Sequence, residues 1–189
     1  DRSMTIQPSS FVSSADGTEI ATYSWTDVAG PVVGAVQIAH GLAEHGARYD
    51  RFASALNEAG FLAFATDHRG HGRTGGDQLG NFGAVGFDGL IADVVQYGAA
   101  IVEANPGVPL FLLGHSMGAA TVMLEAGAKN LMDLSGEDRF DAYIALSPQG
   151  EGVIFNAKSW SPIQKPLLSI TGTRDDELSG NSWKHRTQP

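Results

Sequence analysis

Leu110-Phe111-Leu112-Leu113-Gly114-His115-Ser116-Met117-Gly118-Ala119-Ala120 is the stretch on which the fold turns. Its four leading apolar residues read as a short buried strand. A G-x-S-x-G turn follows at Gly114 to Gly118, and small residues then open a helix predicted over Met117 to Ala128. A serine at such a strand-to-helix turn is lifted out of the sheet in a strained conformation. Glycine on either side removes the Cβ atoms that would collide there. The amino terminus of the following helix favours negative charge developing beside the serine. Ser116 is therefore the predicted nucleophile. The competing reading is a glycine-rich turn in a non-catalytic sheet, and the surroundings decide against it.

Outward from this stretch, short apolar runs alternate with longer amphipathic ones. Strands are predicted at Thr18 to Trp25, Val32 to Ala39, Phe61 to Thr66, Ala142 to Leu146 and Leu167 to Thr171. A helix is predicted at Arg48 to Ala59, with Phe52, Leu56 and Ala59 on one face. Another spans Asp88 to Glu103, with Ile91, Val94, Val95, Ile101 and Val102 as its apolar stripe. This alternation predicts an α/β fold, a doubly wound and mostly parallel sheet, within a single domain over 1–189. Ligands of such sheets bind beyond the carboxyl ends of the strands. Four polar clusters fall there: His40 to His45, Asp67 to Thr74, Gly114 to Gly118 and Gly172 to Asp176.

The turn His40-Gly41-Leu42 directly follows a strand. With the residue after the serine, it would supply the two N–H donors of an oxyanion hole, those of Leu42 and Met117. Glu44 and His45 read as a solvated helix lead-in or a metal pair. A metal needs three or more converging ligands, and no such spacing is present. Asp67 to Thr74 is read as a pocket rim that transfers no proton.

The 189 residues carry a net charge of −9, from 12 basic and 21 acidic side chains. Such a surface repels phosphate backbones and anionic lipid, so no nucleic-acid partner is expected. There is no cysteine, which excludes disulfides, thiolate metal sites and a cysteine nucleophile. No apolar run approaches the roughly 20 residues that span a bilayer. No signal-peptide pattern is seen. Met4 reads as a start behind a short remnant, and a cytoplasmic location is expected. The oligomeric state is not legible.

His40 to Tyr49 (HGLAEHGARY), Asp67 to Thr74 (DHRGHGRT) and GHSMG resemble the monoacylglycerol lipase and serine aminopeptidase-like branch of the α/β-hydrolases. That resemblance runs over about residues 10–118. From Gly118 to Pro189, the runs Ala145 to Gly150 and Thr171 to Asp176 are similar to capless chlorophyllase and dienelactone-hydrolase-like enzymes. The chain thus resembles a composite of two branches of one fold, natural or engineered, or a truncated member. The resemblance implies hydrolysis of a small-molecule carboxylic ester, short-chain or monoacylglycerol-like, without a cofactor. It also implies a large helical cap after the strand ending at Leu146. No cap of that size fits before Leu167, so little or no cap is expected.

A serine hydroxyl needs a base, and the base an orienting acid. Gly172-Thr173-Arg174-Asp175 matches the family's G-x-x-D spacing, so Asp175 is the expected acid, with Asp176 the alternative. The family orders serine, acid, then histidine, and His185 is the histidine that follows. His185 is accordingly the expected base. The alternative is that the base and the last strand and helix lie in sequence this chain does not contain, leaving a scaffold with little catalysis. A peptidase or acyltransferase on the same site is the further alternative.

Overall fold

The structure, a computed structural model, describes residues 6–128, 139–148, 154–156 and 158–171. Strands β1 (Gln7–Val12), β2 (Glu19–Trp25), β3 (Gly34–Ala39), β4 (Phe61–Thr66), β5 (Leu110–His115), β6 (Ala142–Leu146) and β7 (Leu167–Ile170) form one sheet in the order β1-β2-β4-β3-β5-β6-β7. β1 pairs with β2 and β2 with β4 antiparallel, while β4, β3, β5, β6 and β7 run parallel. The helices are α1 (Asp50–Glu58), the single turn α2 (Gly72–Gly75), α3 (Gly86–Ala104) and α4 (Met117–Glu125). The mostly parallel doubly wound sheet expected from the alternation is thus present.

Parallel central strands must be apolar on both faces. All six residues of β3 are buried. Successive side chains of β5 point to opposite faces. Leu110 and Leu112 join Phe64, Leu90, Val94, Val122, Met123 and Tyr143 in one core, beneath α3 and α4. Leu113 joins Tyr23, Trp25, Val36, Ile38 and Ala53 in the other, beneath α1. Each fully buried leucine stabilises by about 1.5–3 kcal/mol. Gln37 is the polar exception in β3, and its amide donates to the carbonyl of Val94 in α3 at 2.8 Å.

β1 was not legible as a strand. It is mostly exposed, and its anchor is Phe11, which stacks on Tyr97 with ring centroids 5.7 Å apart. The face predicted for α1 is corrected in part, since Leu56 packs against the core as expected. Phe52 is 39% exposed and Ala59 is exposed, whereas Ala53 and Asn57 turn inward. Asn57 sets this rotation, donating to the carbonyls of Trp25 and Phe61 at 2.9 and 2.8 Å. In α3, Ile91, Val94, Val95 and Ile101 are buried as predicted, but Val102 is 46% exposed.

An ionic network centred on the buried Arg69 secures the β1–β2 turn. Arg69, after β4, donates to both oxygens of Asp16 at 2.6 and 3.0 Å, and to Asp93 of α3 at 2.7 and 3.1 Å. It also reaches Ser13 at 2.7 Å, and the Ser13 hydroxyl donates onward to Asp93.

Candidate active site

Ser116 caps the join of β5 and α4 with φ 54° and ψ −113°, a left-handed backbone that favours glycine. Its N–H donates to the carbonyl of Leu146 at 3.0 Å, and its own carbonyl accepts from Ala119 and Ala120 at 3.0 and 3.2 Å. The flanking glycines are demanded by close approach. A Cβ on Gly114 would overlap the main chain of Gly118, and one on Gly118 would overlap the carbonyl oxygen of Ala39. The serine is only partly buried. Met117 is the first residue of α4, so its N–H is among those left without an acceptor inside the helix.

β3 lies directly beside β5, with Ala39 opposite Gly114. That register brings the turn after β3 to the serine. A Cβ on Gly41 would lie 3.2 Å from Ser116 Cβ. The turn closes where the Glu44 N–H donates to the Gly41 carbonyl at 3.3 Å, with Ala43 at φ 59° and the Leu42 side chain 61% exposed. Ser116 and Met117, chosen from sequence, therefore lie beside Gly41 at the carboxyl ends of β3 and β5, with Leu42 the next residue of the turn. Asp175, Asp176 and His185 lie outside the described residues.

Three supporting groups have roles that sequence reading did not show. Glu44 is one, and it acts as a hub rather than a lead-in residue. Its Oε2 accepts from the Gly41 N–H and the Tyr49 hydroxyl at 2.9 Å each, and lies 3.3 Å from His115 Nδ1. Burial raises its carboxyl, but the bonds from Gly41, Tyr49 and His115 outweigh burial and hold it below the usual range. The His115 side chain is 38% exposed. His45 is exposed, and among the described residues no three His, Asp or Glu side chains converge as a metal ion would require.

Asp67 is the second. Fully buried, it accepts from the Tyr23 hydroxyl at 2.8 Å and from the N–H groups of Gly46 and Arg73 at 2.7 Å each. One carboxylate thus holds the exit of the Gly41 turn, the loop after β4 and strand β2 together. Burial, then the neighbouring Asp67, pushes the Tyr23 hydroxyl up to about 12. Gly72, at φ 47°, lets the chain wrap the carboxylate, which a Cβ would strike.

His40 is the third. It is fully buried, with the rings of His68 and His71 at centroid distances of 4.1 and 5.2 Å. Its Nδ1 lies 2.8 Å from the Gly41 carbonyl, and its Nε2 accepts the N–H of His68 at 2.9 Å. Sequence reading places His40 in the oxyanion turn and the other two in polar clusters at strand ends, but shows none of their bonds. Their partners lie too far along the chain for any local pattern to reveal.

Residues 30–176 match the family described as serine aminopeptidase, S33. The human monoglyceride lipase is 33% identical over 172 residues, which are 86% of this chain and 55% of that protein. Among solved structures, a thermostable carboxyl esterase from Bacillus coagulans aligns with a TM-score of 0.65 at 29% identity. It covers 78% of this chain and 46% of that one. A Xanthomonas campestris α/β serine hydrolase without a lid aligns with a TM-score of 0.65 over 93% of this chain and 74% of that one. At 20% identity it is alike in fold alone. The chain spans about half the length of the curated relatives it matches.

Proposed function

Because this chain belongs to the serine aminopeptidase (S33) family of α/β-hydrolases, related to monoglyceride lipases, we propose that it cleaves carboxylic esters through an acyl-enzyme on Ser116. The observation that carries this reading is the elbow itself. Ser116 sits at φ 54° between two glycines that admit no side chain, with Gly41 against its Cβ. The Ser116 hydroxyl attacks the ester carbonyl carbon and passes its proton to a histidine. The carbonyl oxygen becomes an oxyanion held by the N–H groups of Leu42 and Met117. The alcohol leaves with the proton, and water then releases the acid by the same steps.

Asp175, or Asp176 beside it, is proposed to orient the base, and His185 to be the base. A second reading, favoured by the chain's spanning about half the length of its relatives, places the base in a longer chain. The proposed substrate is a small ester, short-chain or monoacylglycerol-like. Residues 147–166 alone connect β6 to β7, which leaves no room for a large cap in that connection. Each CH₂ left unburied forgoes about 0.8 kcal/mol, so kcat/KM is expected to peak at acyl chains of about two to six carbons. A steady rise to long chains would overturn that preference.

The test is a fluorophosphonate probe read by intact mass. Labelling is expected on Ser116 and absent in Ser116→Ala, and labelling that survives the substitution refutes the assignment. His185→Ala beside it decides the base. Loss equal to that of Ser116→Ala assigns His185, and no change from a feeble wild-type rate places the base elsewhere.

A further inference from the structure

The buried ring of His40 has one proton position that both of its hydrogen bonds allow. Nε2 faces the N–H of His68 at 2.9 Å, and an N–H only donates, so Nε2 is the unprotonated nitrogen. The proton then sits on Nδ1, 2.8 Å from the Gly41 carbonyl, an acceptor. An imidazolium would set N–H against N–H at His68. Burial agrees with a neutral ring, pushing it down to about 4 with only partial offset from the Gly41 carbonyl. The Gly41 carbonyl shares a planar trans peptide with the Leu42 N–H, and in such a unit the two point in opposite directions.

We propose that His40 is a positioning residue of the oxyanion hole: as the neutral Nδ1–H tautomer it draws the Gly41 carbonyl into the protein and so turns the Leu42 N–H outward beside Ser116. His40 touches no reacting atom and acts through one peptide unit. The main chain of His68 selects the tautomer, so the loop after β4 shapes the hole without transferring a proton. The tilted rings of His68 and His71 pack against the His40 ring and keep it in place. The inference rests on the proposed role of Leu42, and its test separates the two.

The chain labelled with ¹⁵N-histidine distinguishes protonated from unprotonated ring nitrogens by long-range ¹H–¹⁵N correlation, the His40 signal being assigned by its loss in His40→Asn. Nδ1 protonated and Nε2 unprotonated at pH 7 is the expected result. The opposite tautomer, a rapid mixture or an imidazolium overturns the proposal. The second arm is the rate at which the fluorophosphonate labels Ser116. Asparagine places its amide donor where Nδ1 stood, whereas glutamine reaches the Nε2 position. His40→Asn is expected to stay within about threefold of wild type and His40→Gln to fall about tenfold or more, since full loss of one oxyanion donor costs about 10²–10³-fold. Equal losses in both folded variants would make His40 a packing residue and overturn the proposal. A wild-type chain that is never labelled overturns the hydrolase reading and the catalytic half of this one. A wrong tautomer in a chain that is labelled overturns this one alone.

Discussion

Two turns meet at Ser116 and are built on opposite principles. The elbow from Gly114 to Gly118 is steric: main chain touches main chain, and its shape follows from what cannot be added. The turn from His40 to Gly46 is bonded. The His40 ring holds the Gly41 carbonyl, Glu44 the Gly41 N–H, and Asp67 the N–H of Gly46 where the turn leaves. The first turn is insensitive to charge and intolerant of volume, whereas the second depends on its charged and polar partners. They interlock, since Gly118 packs on the Ala39 carbonyl and Gly41 on Ser116. Precision at the nucleophile thus depends on both.

The sharpest way to break this contrast is to add volume to the elbow. Gly118→Val drives two methyl groups into the end of β3, and a loss of about 4 kcal/mol or more, or no soluble protein, is expected in urea unfolding. A stable, folded Gly118→Val protein would show that the elbow is not steric.

Acid should act on the other turn. The His40 ring falls from 6.5 to about 4 on folding, chiefly by burial. The unfolded chain therefore binds more protons between those values. The stability is fully present above pH 6.5 and is lost as pH falls toward 4. For His40 alone this is worth about 3 kcal/mol. His68, fully buried, is lowered in the same direction by burial and by His40. Urea midpoints should drop across this window, and hydrogen exchange should open Gly41 to Gly46 before Met117 to Ala120. Simultaneous opening would erase the distinction.

Asp67→Asn probes the bonded turn at neutral pH. One carboxylate oxygen becomes an NH₂ facing donors, and a loss of about 2–3 kcal/mol is expected, with slower labelling of Ser116. A loss below about 0.5 kcal/mol would show that the Gly46 and Arg73 bonds contribute little. The smallest effect has the opposite sign. Ala43 is held at φ 59°, and Ala43→Gly relieves that strain while loosening the unfolded chain. A gain of up to about 1 kcal/mol is expected, equivalent to a rise in Tm of about 2–4 °C.

The same contrast explains what could be read in advance. Steric turns leave a mark in one dimension, because Gly114, Ser116 and Gly118 must stand at fixed offsets. So do strands buried on both faces, and β3, β4, β5 and β6 were legible as apolar runs. Bonded turns leave no such mark. Asp67 serves Gly46 and Tyr23, 21 and 44 residues away, and His40 meets His68 across 28. Motif reading placed His40 in the oxyanion turn but could not show what its ring does. β1 was missed because an exposed edge strand carries little apolar pattern. The α1 face was misread because two hydrogen bonds from Asn57 outrank the burial of Phe52.

The Arg69 network has a consequence for kinetics. Its bonds join Ser13 to Asp93 across 80 residues and Asp16 to Arg69 across 53. Such contacts require closure of long chain loops and a docked α3, whereas β3 and β4 pair across only 27 residues, Gly34 opposite Phe61. A lock fastened after the folding transition state leaves the folding rate nearly unchanged and governs how quickly the native protein comes apart. Arg69→Met should therefore steepen the loss of native signal in stopped-flow unfolding while the refolding limb stays near wild type. If refolding slows in proportion instead, the β1–β2 turn is already docked on α3 when the sheet nucleates.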